Sequence, residues 1–316
     1  MGYSAKVILD SVSHDGARLT TMEVSFPRIV LAEFNTHRMF SRNSASSRAI
    51  PVEKMIARVM EDPFVPIHWG KNQKGMQAAE ELGENERMAA VGEWLRARDA
   101  AVTSVKRLAV ELDVHKQIAN RLLEPWLWHT VIVTATEWSN FFALRRHPNA
   151  QPEIKRAADL LFEAMAASMP ELVGFDDWHT PYVDQEEFET DLFSGPREFL
   201  DPIRDSYVHM RLDRWCKVSV GRCARVSYLT HDGVRDPDKD VALAESLLKN
   251  GHMSPFEHVA RPAHDGDPSA EQRASANPLD QMKMVASTFH GNFRGWVQLR
   301  KTIPGEHDFS LVGSSS

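Results

Sequence analysis

Apolar and polar positions alternate through AKVILDSV near the N-terminus, a period of two that predicts a half-buried strand. His14, Asp15 and Gly16 supply a turn, the alternation resumes in TTMEVSF, and PRIVLAEF predicts a further buried strand. The period then lengthens. PVEKMIARVM reads as a helix with Pro51 at its first position. Ala, Glu, Met and Leu predict a helix from Lys71 to about Arg98. Val102, Val105, Leu108, Ala109 and Leu112 stand at helical spacing in a second, from about Asp99 to Leu123, which Pro125 stops. WLWHTVIVTAT is either a short buried strand or the start of a very apolar helix, and periodicity does not choose between them. Asn140 to Met169 returns to helix: Pro152 and Glu153 suit a first turn, and Ile154, Ala157, Leu160, Leu161, Ala164 and Met165 make one apolar face.

The pattern weakens from Pro170 to about Pro202, an acidic and aromatic stretch full of turn residues that reads as a loop-rich connector. WCKVSVGRCARVSYLTHDG then predicts a strand and turn, and DVALAESLLKNG a helix ended by Gly251. RPAHDGDPSAEQRASANPLD has the composition of a mobile segment, and SLVGSSS that of a frayed tail. No internal repeat or heptad array is present.

Composition narrows the class. A chain of 316 residues with 42% hydrophobic content can bury a real core without staples. Cys216 and Cys223 form no CxxC pattern and suit a reducing cytosol, with burial as their expected role. The opening MGYSAKVILDSV lacks a signal-peptide pattern and no apolar run approaches a membrane span, so a soluble, cytoplasmic protein is expected. The net charge of −7 argues against a nucleic-acid polymer as partner.

Against that acidic background, FNTHRMFSRNSASSRAIPV (34–52) holds Arg38, Arg42 and Arg48 among Ser41, Ser44, Ser46 and Ser47, with no Asp or Glu. Guanidinium forks among hydroxyl donors are the composition of a cradle for a small anion; a solvated Ser/Arg loop is the plainer alternative. A second cationic group, Arg145, Arg146 and His147, precedes the helix start at Pro152, and the two adjacent arginines cannot share one face. Arg121 is a third candidate. His252 and His258 superficially suggest a metal, but no HExxH or cysteine partner accompanies them, so no metal site is expected. GxSxG, Walker and GxGxxG motifs are missing.

The stretch His37-Arg38-x-x-Ser41-x-Asn43-x-x-Ser46-x-Arg48 resembles the RHRxxSxNExSxRY signature of the flavin-dependent thymidylate synthases, the ThyX family. Arg145 with Ala150-Gln151-Pro152-Glu153-Ile154, Ala-Arg-Val-Ser-Tyr at 224–228 and Gly-His-Met-Ser-Pro-Phe-Glu-His at 251–258 match three further family blocks. The last two follow the signature here and precede it in the usual order, so the chain looks circularly permuted. GNFRGWVQLRK near the C-terminus also resembles the strand that leads into the signature, as though that strand were present at both ends. The implied organisation is a single domain over 1–316: signature loop and helical core in 1–169, connector in 170–206, the ARVSY and GHMSPFEH portion in 207–308 and a tail in 309–316. The implied fold is α+β, a mixed or antiparallel sheet packed on long helices, with both termini feeding one sheet.

The resemblance further implies an FAD-dependent methyltransferase that converts dUMP to dTMP, with NADPH and methylenetetrahydrofolate as co-substrates, working as a homotetramer. It places His37, Arg38, Asn43, Asn140, Ser227, Ser254 and His258 near the flavin. Ser46, Arg48, Arg121 and Arg145 would hold the nucleotide, with Arg145 facing the pyrimidine and Arg145, Ser46 and Arg48 at the reaction centre. Thr36, Ser44, Glu33 and Thr136 depart from the family pattern, and Gln298 and Arg300 are the expected substitutes for the lost contacts. Two alternatives stay open: a flavin-dependent hydroxymethylase or methylase of a related pyrimidine nucleotide such as dCMP, and a nucleotide-binding homologue without catalysis.

Overall fold

The structure, a computed structural model, describes residues 2–175, 177–193, 201–228, 235–264, 291–303 and 306. Five strands form the main sheet: β1 (Ser4–Val12), β2 (Arg18–Pro27), β3 (Ser41–Ser44), β4 (Trp128–Ala135) and β5 (Glu171–Leu172), in the order β3-β4-β2-β1-β5. All neighbours are antiparallel except β1 and β5, so the sheet is mixed and the class is α+β, as expected. WLWHTVIVTAT resolves as strand, because Val131, Ile132 and Val133 are buried on both faces of a central position.

PRIVLAEF is not a strand. It forms a 3-10 turn (Arg28–Val30) and a short helix, α1 (Leu31–Phe34), because Val30 and Phe34 fold back onto the sheet's apolar face. The two helices expected across 71–123 are one: α3 (Glu84–Lys106) follows α2 (Val52–Glu61) and a bridged loop in which Gly70 pairs with Glu81. Glu86 caps the backbone N–H of Gly83 at 2.9 Å and sets the start. After a π turn (Arg107–Glu111), Asp113 takes a positive φ of 51° and breaks the chain, which leaves Leu112 exposed. Chain direction recovers in α4 (Lys116–Ala119) and a 3-10 stretch, Asn120–Trp126. Helices α5 (Ser139–Arg145) and α6 (Pro152–Ala166) follow β4, and α6 lays Ile154, Ala157 and Leu161 on Met22, Val24, Phe26 and Val133.

The second half holds the largest correction. Residues 224–228 are the end of a long helix, α8 (Asp201–Tyr228), which follows α7 (Gln185–Phe193). Valines 218, 220 and 226 imitate a strand in the sequence, but the helix is buried on two sides. Cys216, Val220 and Ala224 pack on α9 (Pro237–Lys249), while Cys223 and Val226 pack on Ile132 of the sheet. Helix α9 ends as expected, with Gly251 at φ 70° and the His252 N–H bonded to the Leu247 carbonyl.

The termini do not feed one sheet. The strand β7 (Trp296–Gln298) pairs with β6 (Ala260–Pro262) in a separate two-stranded sheet, and its Gln298 side chain reaches β3. Of the segment 261–280, expected to be mobile, residues 261–264 are described, with Arg261 and Pro262 in β6; its remainder, the tail 309–316 and part of the connector lie outside the described residues. Cys216 and Cys223 are buried and unbonded. Among the described residues no helix is long and apolar enough to cross a membrane.

Candidate functional site

The two faces of the main sheet differ in chemistry. Met22, Val24, Phe26, Val131 and Val133 line one; Ser11, Thr21, Thr134, Ser41 and Asn43 fall on the other, because strand register pairs Thr21 with Thr134 and Thr134 with Ser41. Across this polar face runs a buried chain of hydrogen bonds. Ser11 Oγ meets His179 Nδ1 at 2.7 Å, His179 Nε2 meets Thr21 Oγ1 at 2.7 Å, Thr21 meets Thr134 at 2.6 Å, and Thr134 meets His258 Nδ1 at 2.8 Å. Burial holds His179 and His258 down to about 3, so both rings are neutral. The chain stops at His258 Nε2, which is buried without a partner among the described residues, as is Asn43 Nδ2 on the same face.

Along the edge of the sheet, β3 is anchored by the C-terminal strand. Gln298 Nε2 donates to Ser41 Oγ at 3.1 Å and to Asn292 Oδ1 at 2.8 Å, and Asn292 Nδ2 donates to the Met39 carbonyl at 3.0 Å. Gly291 is required there: at φ 59°, an added Cβ would stand 1.9 Å from Gln298 Oε1. Arg300 is held by Glu257 and by Glu306 at 2.8 Å.

At the Ser41 end of β3, Arg145 closes α5 against the segment before the strand. Its Nε donates to His37 Nε2 at 2.9 Å, Nη1 to Glu33 Oε2 at 3.0 Å and Nη2 to Thr36 Oγ1 at 3.2 Å. His37 is pushed down to about 4 by burial first, then by the charges of Arg145 and Arg42, and so accepts as a neutral ring. Glu33 and Thr36, two of the four positions that depart from the family pattern, are thus direct partners of Arg145. Arg146 turns away to Asp159 and stacks its guanidinium 3.6 Å from the Phe162 ring centre, so it is paired rather than merely solvated.

Ser46 and Arg48 lie beyond the other end of β3, exposed on a turn in which the Ala49 N–H bonds the Ser46 carbonyl. Arg121 reaches the same neighbourhood through Glu124, whose Oε1 accepts from Arg121 at 2.7 Å and from Ser47 Oγ at 2.7 Å. Beneath the turn is a cavity of about 220 Å³ walled by Arg28, Ser47, Arg58, Trp126, Trp128 and His129 among others. Burial, then the Arg28 charge, keeps His129 down at about 3.

The structure therefore sorts the candidates into groups. Arg145 and His37 are joined; Ser46, Arg48 and Arg121 lie beyond the far end of β3, itself a strand roughly 10 Å long. Asn43, buried on β3, and His258 belong to the polar face. Arg38, Asn140 and Ser254 are exposed, and Arg300 is spent on two carboxylates. Ser227 lies on the last turn of α8, with its side chain outside the described residues. His252 is exposed while His258 is buried, and among the described residues no group of three or more His, Cys, Asp or Glu could hold a metal. Glu124, Asn292, His179 and Thr134 carry no local sequence signal; their partners lie between 3 and 253 positions away.

Comparison with known proteins finds a family match over part of the chain. Residues 18–171 match the family model described as thymidylate synthase complementing protein. That span holds the signature stretch, Arg121 and Arg145, so the resemblance read from those motifs is shown; the reordering of the ARVSY and GHMSPFEH blocks rests on the sequence alone. No curated protein matches the chain. Among solved structures, a UMP/dUMP methylase PolB from Streptomyces cacaoi bound with 5-Br UMP is similar at 17% identity over 52% of this chain and 88% of that one, with a TM-score of 0.42. Flavin dependent thymidylate synthase ThyX from Helicobacter pylori, complexed with FAD and dUMP, is similar at 22% identity over 46% and 67%, with a TM-score of 0.32. Likeness of that degree decides neither substrate nor chemistry.

Proposed function

We propose that this chain, whose residues 18–171 carry the thymidylate synthase complementing protein pattern, is a flavin-dependent enzyme that methylates dUMP to dTMP. The observation that carries the reading is the Arg145 cluster. A guanidinium is fixed by three different acceptors beside the signature stretch, and in this reading it would face a pyrimidine carbonyl. Such a preset donor stabilises negative charge that develops on the ring as C5 turns nucleophilic. Neutral His37 takes no charge from the site but fixes the plane of the guanidinium.

Ser46, Arg48 and Arg121 would hold the phosphate at the far end of β3. A mononucleotide carries its anion and its ring at opposite ends, which suits the separation of the two groups. A homotetramer with shared sites, as the resemblance implies, would let a second copy complete either group.

FAD, when bound, would carry the hydride and relay the one-carbon unit of methylenetetrahydrofolate, with NADPH as the reductant. The fit to a cofactor is supported by Asn43 Nδ2 and His258 Nε2, two buried nitrogens on one sheet face without a partner among the described residues. His37, Arg38, Asn140, Ser227 and Ser254 are the further flavin contacts proposed, and the chain would act in the cytoplasm. We also propose one permuted domain over 1–316, supported by the bonds from His258 to Thr134 and from Gln298 to Ser41 that tie the C-terminal part to the sheet.

A related reading, methylation or hydroxymethylation of dCMP, is favoured by Glu33. Its carboxylate beside Arg145 is an acceptor that a cytosine amino group would satisfy. The deciding experiment is the visible spectrum of purified protein with and without dUMP. A bound oxidised flavin perturbed by the nucleotide is expected; a colourless protein that takes up no FAD points instead to a binding protein without catalysis. Product masses with dUMP and dCMP then separate the two substrates.

A further inference from the structure

We infer that Glu124 is a positioning residue that arrays the phosphate-binding groups around the Ser46–Arg48 turn, an inference that rests on the nucleotide reading above. Its Oε1 accepts from Ser47 Oγ at 2.7 Å and Arg121 Nη1 at 2.7 Å, with Arg28 Nη2 at 3.4 Å. The three donors come from different segments: the turn after β3, the 3-10 stretch that carries Glu124 itself, and the residue just past the end of β2. Ser47 is buried between exposed Ser46 and Arg48, so tethering its hydroxyl inward turns the two flanking side chains outward.

The same helical segment grips the turn's backbone as well. Asn120 Nδ2 donates to the carbonyls of Ser47 at 2.7 Å and Ile50 at 2.9 Å, and Lys116 Nζ to that of Ala49 at 3.0 Å. Those bonds fix the turn's height. The Ser47–Glu124–Arg121 bridge is different in kind, because it sets where a mobile guanidinium stands relative to Ser46 and Arg48. Two guanidinium groups against one carboxylate leave the cluster cationic, and Arg121 remains half exposed with donors to spare. An anion seated by Ser46 and Arg48 meets Arg121 because Glu124 holds both sides of that junction.

The test uses the full chain loaded with FAD and titrated with dUMP and with deoxyuridine, which lacks the phosphate. Glu124→Gln keeps an acceptor for Ser47 and removes the charge that holds Arg121. It is expected to weaken dUMP about 10-fold or more while sparing deoxyuridine and FAD uptake. In an Arg121→Ala background the same change is expected to have almost no further effect. Glu124→Asp, which restores the charge on a shorter arm, should fall between and serves also as the second variant if Glu124→Gln does not fold. Equal weakening of dUMP and deoxyuridine, unchanged dUMP affinity, or full additivity with Arg121→Ala overturns the role. An unaltered chain that takes up FAD but ignores dUMP overturns the nucleotide reading itself, and this inference with it.

Discussion

Arg145 donates from Nε to His37 Nε2 across 2.9 Å, and that bond exists only while the imidazole is neutral. His37 is pushed down to about 4, and His129, His179 and His258 to about 3. A histidine whose folded value lies below its ordinary 6.5 favours folding most above 6.5, and that contribution drains away as pH falls toward the folded value, because the unfolded chain takes up the proton first. Urea midpoints should therefore fall steadily between pH 6.5 and 4. A midpoint that stays constant from pH 7.5 to 4.5 contradicts the neutral, buried assignments.

Arg145→Ala removes a donor aimed at developing charge, so turnover should drop by roughly 10²–10³ while dUMP affinity falls much less. Steady-state rates compared with dUMP titration separate the two quantities. Equal losses in both would refute the electrostatic role.

Thr134→Val breaks the buried chain between Thr21, which keeps His179 Nε2, and His258, which loses its Nδ1 partner. Leaving such groups unsatisfied costs about 1–3 kcal/mol, which chemical denaturation should record. The pair Thr21→Val and Thr134→Val should cost less together than the sum of the singles, since the second change removes a partner already lost.

Asp240 joins Arg222 at 3.0 Å and Arg225 at 2.6 Å between α8 and α9, with Asp240 and Arg222 both buried. Asp240→Ala leaves Arg222 with Glu187 and the Tyr182 carbonyl but one buried partner short, and should cost about 1–3 kcal/mol in a denaturation curve. Gly221→Ala probes the same contact from the other side. Its Cβ would stand 2.3 Å from the Asp240 carbonyl oxygen, so the helices must part, at roughly 1–3 kcal/mol.

Much of the fold was legible because local chemistry dictates it. The alternation of β1 and β2, the Pro-led starts of α2 and α6 and the Gly251 stop of α9 each follow from the residues in place. The arginine and serine content of the signature stretch likewise marked the turn beyond β3. Two of the errors come from burial that hides periodicity. Valines 218, 220 and 226 look like a strand because α8 faces both the sheet and α9, and PRIVLAEF looks like one because Val30 and Phe34 are core residues of a tight helical turn.

What the sequence determined by itself is a partial inventory: the first two strands and several helix ends, which stretch is cationic in an acidic chain, and which family the span 18–171 matches. Tertiary structure alone decided the partnerships. Glu33 and Arg145 stand 112 positions apart, Ser47 and Glu124 77, and Ser41 and Gln298 257. No period or cap encodes such pairs. They follow from sheet order and strand register, which place side chains of remote segments on one face and at one end of the same short strand.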